Sequence, residues 1–281
     1  MSATAVAGGI TRTRPGGHRK RWTRFILPAY TYLLMLFLVT PILMMMLYGF
    51  NDIPGDRQSP RFFGFTLEWY RRLFENTELT AAVRLSVTVA IVAAAIATVL
   101  GTLLGLALGR YGFRGRALLS FVIFMAIAVP EIVLGSSLLS MFVQVRVVPL
   151  GFVTILLAHI GFDVPFVAVT VRARVAGMDR SLEDAAKDLY ATPVVAFYRV
   201  TLPIIAPGIL AGFLLAFVLS LDDFVITQFV SGQTSTFPLW VYGASRIGIP
   251  PSVNVFGTLL FGLGVVLALL GAFSQGRRRA G

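Results

Sequence analysis

Six long apolar runs set the limits on what this chain can become. They lie near 25–49, 83–109, 117–141, 151–171, 205–229 and 252–274. Each is long enough to cross a hydrocarbon core of about 30 Å at about 1.5 Å per helical residue. Hydrophobic residues make up 57% of the 281 positions and charged residues 13%, about half the charged share of a soluble domain. The pattern predicts an all-α membrane protein with six transmembrane helices. The chain has no cysteine, which excludes disulfides and thiol catalysis.

The net charge of +11 raises the question of nucleic acid, but the basic residues flank the apolar runs. Of 24 Lys and Arg, 17 fall in the N-terminal tail, the 110–116 loop, the 172–204 loop and the C-terminal tail. The opposite side holds Arg57, Arg61, Arg71, Arg72, Arg84, Arg146 and Arg246. The positive-inside bias predicts cytoplasmic termini and a cytoplasmic 172–204 loop, so topology accounts for the charge. Residues 1–24 read as a basic tail, 25–276 as the transmembrane domain and 277–281 as a second basic tail. The first tail is not a cleaved leader, because the apolar run after it is too long and no small-residue cleavage site follows.

Within the spans, Ala93, Ala97, Gly101, Gly105 and Gly109 recur every fourth residue, a small-residue ridge that lets another helix approach closely. Pro130 and Glu131 interrupt the third run. The segment from about 51 to 82 is the one long loop outside. Leu67, Tyr70, Leu73 and Phe74 there take helical spacing, predicting an amphipathic helix at the membrane interface, with Trp69 and Tyr70 at headgroup level. The alternative is a platform for an external binding protein.

The most informative soluble stretch is RARVAGMDRSLEDAAKDLYATPVVAFYRVTLPIIAP, residues 172–207. Its mixed charge belongs in water. Leu182, Ala185, Ala186 and Leu189 form an apolar stripe at helical spacing. Ser181 is the expected cap, with Asp184 completing a capping pattern, and Pro193 is expected to start a second short helix. Two short helices held between spans predict a docking surface for a soluble partner.

Four acids fall inside apolar runs: Glu131, Asp163, Asp222 and Asp223. Such groups face a bundle interior or a watery path, and a path rich in carboxylate suits a cationic solute. Glu131 follows Pro130 and Asp163 precedes Pro165, which predicts two broken helices. Asp163 serves either that path or as a local cap for the helix after Pro165. Asp222 and Asp223 serve either that path or as a buried pair satisfied by Ser and Thr. His159 reads as a packed, hydrogen-bonded membrane histidine. No phosphate-binding loop occurs anywhere.

These residues carry a resemblance. Asp184-Ala185-Ala186, followed at family spacing by Val200, Leu202 and Pro203, resembles the EAA loop of ABC importer permeases. Glu183 stands just before the Asp that replaces the family Glu, and Tyr190 stands where the family has a Gly. That Gly normally makes the left-handed turn between the loop helices. The stretch LSLDDFVITQFVSGQTSTFPLWVYGASRIGIPPSVN (219–254) resembles the polyamine (spermidine/putrescine) subgroup. The resemblance implies a six-helix type I ABC importer permease in a bacterial inner membrane, with its core at about 80–275. Its partners would be a second homologous permease, two ATP-binding subunits and an extracytoplasmic solute-binding protein. ATP and Mg would bind the ATPase, leaving this chain non-catalytic and without a cofactor. Glu183, Asp184, Ala185, Ala186, Tyr190, Val200, Leu202 and Pro203 would couple to the ATPase. Glu131, Asp222, Asp223 and Asp163 would line the solute path.

Other readings are a permease for another small solute, a proton-coupled transporter using Glu131 or Asp163, and a prenyltransferase-like enzyme using Asp222-Asp223. The second usually carries internal repeats, and none is found. The third needs a further nearby Asp, which Phe224, Val225 and Ile226 do not supply.

Overall fold

A computed structural model describes residues 23–55, 57–146, 148–179 and 181–277. The basic tails expected at 1–24 and 277–281 lie outside this range except for their innermost positions. In chain order the helices are α1 (Thr23–Tyr48), α2 (Glu68–Arg71), α3 (Thr77–Arg110), α4 (Arg116–Ala128), α5 (Glu131–Val145) and α6 (Phe152–Ala176). There follow α7 (Ser181–Asp188), α8 (Pro193–Ala196), a π turn (Phe197–Thr201), α9 (Leu202–Asp222), α10 (Val225–Val230), α11 (Phe237–Ser245) and α12 (Ser252–Arg277).

Among the described residues, four helical stretches are long and apolar enough to cross a membrane: Phe25–Tyr48, Thr77–Arg110, Phe152–Ala176 and Pro193–Asp222. The bent pair α4 and α5 makes a fifth if counted as one span, and α12 opens with the shorter apolar stretch Ser252–Val266. The chain is a multi-pass membrane protein.

Helices α3, α6 and α9 form the central bundle. Ala90, Ala94, Ala97, Val167, Val171, Ile205 and Ala216 are buried where they meet. The expected ridge is the reason they can meet. A Cβ added to Gly101 would sit 2.6 Å from Val167 Cβ, and one added to Gly105 would sit 2.8 Å from the Ala168 carbonyl oxygen. Only hydrogen at these positions allows α6 to lie so close. By contrast α1 is almost wholly exposed and touches α12.

Of the breaks expected from proline, one is present and one is not, and a further break appears elsewhere. The third run is broken at Pro130 and Glu131, as expected. Val129 is extended, as a residue before proline prefers, and α4 and α5 meet at 104°. Pro165, in contrast, does not break its helix, since α6 runs through it unbroken. Within a packed bundle, neighbours and local adjustment compensate for the missing N–H. The run expected at 205–229 is interrupted instead at Asp223 and Phe224, with no proline involved.

The outer segment also differs. The expected interfacial helix is a single turn, α2, and α3 starts at Thr77 rather than 83 because Asn76 caps it, accepting from Leu79 N at 2.9 Å. Asn51 holds the loop together. Its Nδ2 donates to Arg61 O at 2.9 Å, its Oδ1 accepts from Phe63 N at 2.8 Å, and its carbonyl accepts from the Trp69 indole at 2.8 Å. Trp69 and Tyr70, half-buried, pack against Leu73, Leu79, Val255 and Phe256, which ties the loop to the start of α12.

Candidate functional site

The loop between α6 and α9 begins with a cap. Ser181 is the first helical residue of α7, and its backbone N–H is accepted by Asp179 Oδ1 at 2.9 Å. Asp179 therefore performs the capping expected of Ser181. That backbone hydrogen bond, with a second from the Ser181 side chain, holds the Asp179 carboxyl below the usual carboxylate range.

At its other end α7 closes in a Schellman motif. Ala191 N donates to Ala186 O at 3.0 Å and Tyr190 N to Lys187 O at 2.8 Å, which places Tyr190 at the position that favours glycine. Its φ is +59°, so the left-handed turn is made despite the side chain. The ring gains no compensating burial within this chain, being 96% exposed. Thr192 then caps α8, accepting from Val195 N at 3.4 Å, with Pro193 at its first turn. The π turn follows, and Pro203 enters α9 at N1 or N2. Pro203 has no N–H to give the preceding turn, and a π turn is one way a helix absorbs such a misfit.

The loop residues separate by direction. Leu182 and Leu189 are exposed, Ala185 is exposed and Ala186 half-buried. Asp184 is exposed and pairs with Lys187 at 2.8 Å. Val200 is half-buried, Leu202 packs on the central core and Pro203 is exposed. Glu183 turns the other way. It is 5% exposed, accepts from Thr201 Oγ1 at 2.5 Å and pairs with Arg110 at the end of α3. An acid is thus buried where its charge is met by a guanidinium and a hydroxyl, as a buried charge requires.

The membrane acids also separate. Asp223 is buried at the α9–α10 break. Its Oδ2 accepts from Thr227 N at 2.8 Å and Thr227 Oγ1 at 2.7 Å, and its Oδ1 accepts from Ile226 N at 3.2 Å. These bonds cap α10. His159 Nε2 lies 3.2 Å from the same carboxylate, and its Nδ1 is 2.5 Å from Ser220 Oγ. His159 is therefore packed and hydrogen-bonded as expected, and it is also a base beside Asp223. No local pattern in sequence could pair residues 64 apart.

Asp222, the neighbouring residue, points away from this cluster. It is exposed and lines a cavity of about 600 Å³ together with Phe224, Phe237, Val241, Tyr242 and Leu260. Glu131, the first residue of α5, is exposed at the bend and lines a second cavity of about 500 Å³ with Phe162, Phe166 and Val225. Asp163 is fully buried inside α6, one turn from His159, and neither carboxylate oxygen has a hydrogen-bond partner among the described residues. It caps nothing, because its helix neither starts nor stops there.

This arrangement defines the class. The backbone resembles a chain of a bacterial ABC transporter involved in the import of the acidic polysaccharide alginate, with a TM-score of 0.65 and 14% identity over 94% of this chain and 99% of that one. A chain of the MetNI methionine ABC transporter in an inward-facing form gives 0.58 and 19% over 73% and 96%. The fold is that of a type I ABC importer permease. Residues 101–279 match the family described as binding-protein-dependent transport system inner membrane component, and the chain belongs to that family. Membership implies an ATP-hydrolysing partner and a solute-binding protein.

Among its relatives are the spermidine/putrescine transport system permease protein PotC of Haemophilus influenzae, 38% identical over 88% of this chain and 95% of that protein. The putrescine transport system permease protein PotI of Escherichia coli (strain K12) is 40% identical over 82% and 84%.

Proposed function

We propose that this chain is a permease subunit of an ATP-driven polyamine importer in a bacterial inner membrane, with both termini in the cytoplasm. It pairs with a second homologous permease and two ATP-binding subunits, and receives its solute from an external binding protein. ATP and Mg bind the ATPase, and this chain performs no bond chemistry. The main support is the similarity to polyamine permeases at 38–40% identity over more than four-fifths of the chain.

Asp222 and Glu131 serve as weak sites for ammonium groups, because each opens onto a cavity walled by apolar and aromatic residues. Attraction must be strong enough to admit a cation and weak enough to release it. An aromatic face such as that of Phe224 adds to that attraction without adding charge. Asp223 contributes to the path through field rather than contact, since it is buried, and Asp163 lies buried behind that path without contact to the solute. On the other side, the exposed face of α7 with Leu182, Ala185, Ala186 and Leu189 docks on the ATPase, and Asp184, Tyr190, Val200, Leu202 and Pro203 shape the turn and the return into α9.

The test is uptake of labelled putrescine and spermidine by the complete importer in proteoliposomes. Asp222→Asn and Glu131→Gln should lower polyamine uptake at unchanged assembly. Full uptake by both amide variants would sink the assignment. Ala186→Asp should place a charge in the docking face and lower co-purification of the ATPase, and normal co-purification would refute the docking assignment.

A further inference from the structure

We propose that Arg110, Glu183 and Thr201 form an internal latch that fixes the docking helix α7 to the ends of α3 and α9. The proposal rests on the reading of α7 as the docking segment and assigns these three positioning residues a task distinct from docking. They come from three places in the chain. Arg110 is the last residue of α3, Glu183 lies in the first turn of α7, and Thr201 closes the π turn before α9.

The geometry is that of an inward-facing clasp. Glu183 and Thr201 are 5% and 3% exposed. One carboxylate oxygen accepts from the Thr201 hydroxyl at 2.5 Å, and the other meets the Arg110 guanidinium. The cation sits at the C-terminal end of α3, where the helix dipole also favours it. No docking surface is needed to explain this acid, because its charge and its hydrogen bonding are both satisfied within the chain. A second clasp lies nearby. Arg174 Nε, near the end of α6, donates to Ile204 O at 3.0 Å, and its stem packs on Gly208 of α9.

The consequence is a division of labour in α7. Leu182, Ala185 and Leu189 face outward, while the one buried residue of that helix faces its own chain. A push on the outward face moves α7. Without the clasp, α7 would be tied to α3 by no side-chain contact of Glu183, and part of the displacement would be lost before reaching the bundle. With it, the displacement reaches α3 and α9 together, two of the three helices of the central bundle. The contact is charge-assisted and desolvated, so it is stiffer than a surface ion pair.

The experiment uses the complete importer, with its ATPase, partner permease and binding protein, and labelled putrescine as probe. The quantity read is putrescine imported per ATP hydrolysed. Glu183→Gln keeps the side-chain shape and an acceptor for Thr201 but removes the charge facing Arg110. Thr201→Val keeps the shape and removes the hydroxyl. Each should lower the ratio by about tenfold, the loss of one charge-assisted hydrogen bond, with the ATPase still co-purifying. Thr201→Ser should keep the ratio, and the exchanged pair Arg110→Glu with Glu183→Arg should restore much of what Glu183→Gln loses. An unchanged ratio in both Glu183→Gln and Thr201→Val overturns the latch. Loss of the ATPase from the Glu183→Gln complex also overturns it, because Glu183 would then touch the partner directly. Neither result bears on docking by the outward face, which Ala186→Asp tests separately.

Discussion

Tyr190→Gly isolates the strain stored at the end of the docking helix. A side chain held in the left-handed region costs about 1–2 kcal/mol, and Tyr190 sits there with φ +59°. Glycine removes that cost but loses about 0.5–1 kcal/mol more backbone entropy on ordering. Deleting the ring forfeits almost no packing within this chain, because the residue is 96% exposed. The net is a gain of about 0.5–1 kcal/mol in closing the turn, or about twofold to fivefold in its closed-to-open ratio. Amide exchange reads this directly at Ala191, whose N–H is bonded to Ala186 O at 3.0 Å. Exchange there should slow by that factor in Tyr190→Gly. Tyr190→Ala keeps the left-handed penalty and drops the ring, so its exchange should stay near that of the parent. Unchanged or faster exchange in the glycine variant would refute the argument from strain. In the assembled importer, an equal loss of uptake in both variants would show that the ring contacts a partner.

Three further outcomes follow from the geometry. Asp223→Asn should lower thermal stability by about 1.5–3 kcal/mol, because charge-assisted bonds to Thr227 and Ile226 are weakened in a buried site, and detergent-solubilised melting curves check it. Gly105→Val should separate α3 from α6, since even a Cβ would lie 2.8 Å from a carbonyl; overpacking of this kind costs about 1–3 kcal/mol and should show as reduced folded yield and a lower melting temperature. Asp179 has its carboxyl held below its ordinary value by capping, so it stabilises α7 above the ordinary carboxylate range, about pH 4. That support is lost as the pH falls through the depressed value. Helix exchange protection in α7 should fall in that acid range, and Asp179→Ala should reduce the dependence, leaving the part that Glu183 and Asp184 carry.

The helices were legible because apolar runs of this length leave few alternatives. Close packing of α3 against another helix was legible too, from small residues at every fourth position, but not that the partner is α6. The turn at Tyr190 was half legible: the family glycine position pointed to a left-handed turn, the bulky side chain argued against it, and the structure makes the turn. Breaks were less legible. Proline was a good guide at Pro130, where the following helix changes direction, and a poor one at Pro165, where tertiary contacts hold α6 together. At Asp223 the break has no proline at all, and its signal is an acid followed by residues whose N–H groups it can accept. Side-chain direction within α7 was not legible. Glu183 and Asp184 are adjacent acids, and only the fold shows that the first faces Arg110 and the second faces solvent. The pairing of His159 with Asp223 was invisible for the same reason. It depends on how α6 meets α9, which no local pattern encodes.

The helical stretch Pro193–Asp222 joins the two regions that matter most. It spans 30 residues, or about 45 Å at 1.5 Å per residue. One end lies in the docking loop and the other ends at Asp222. It is therefore a lever whose two tips are the two candidate sites. A tilt of about 5° about its base carries the far tip about 4 Å over that length. That is on the order of the reach of an ammonium–carboxylate contact, so a modest rotation at the loop is enough to make or break a cation's hold at Asp222.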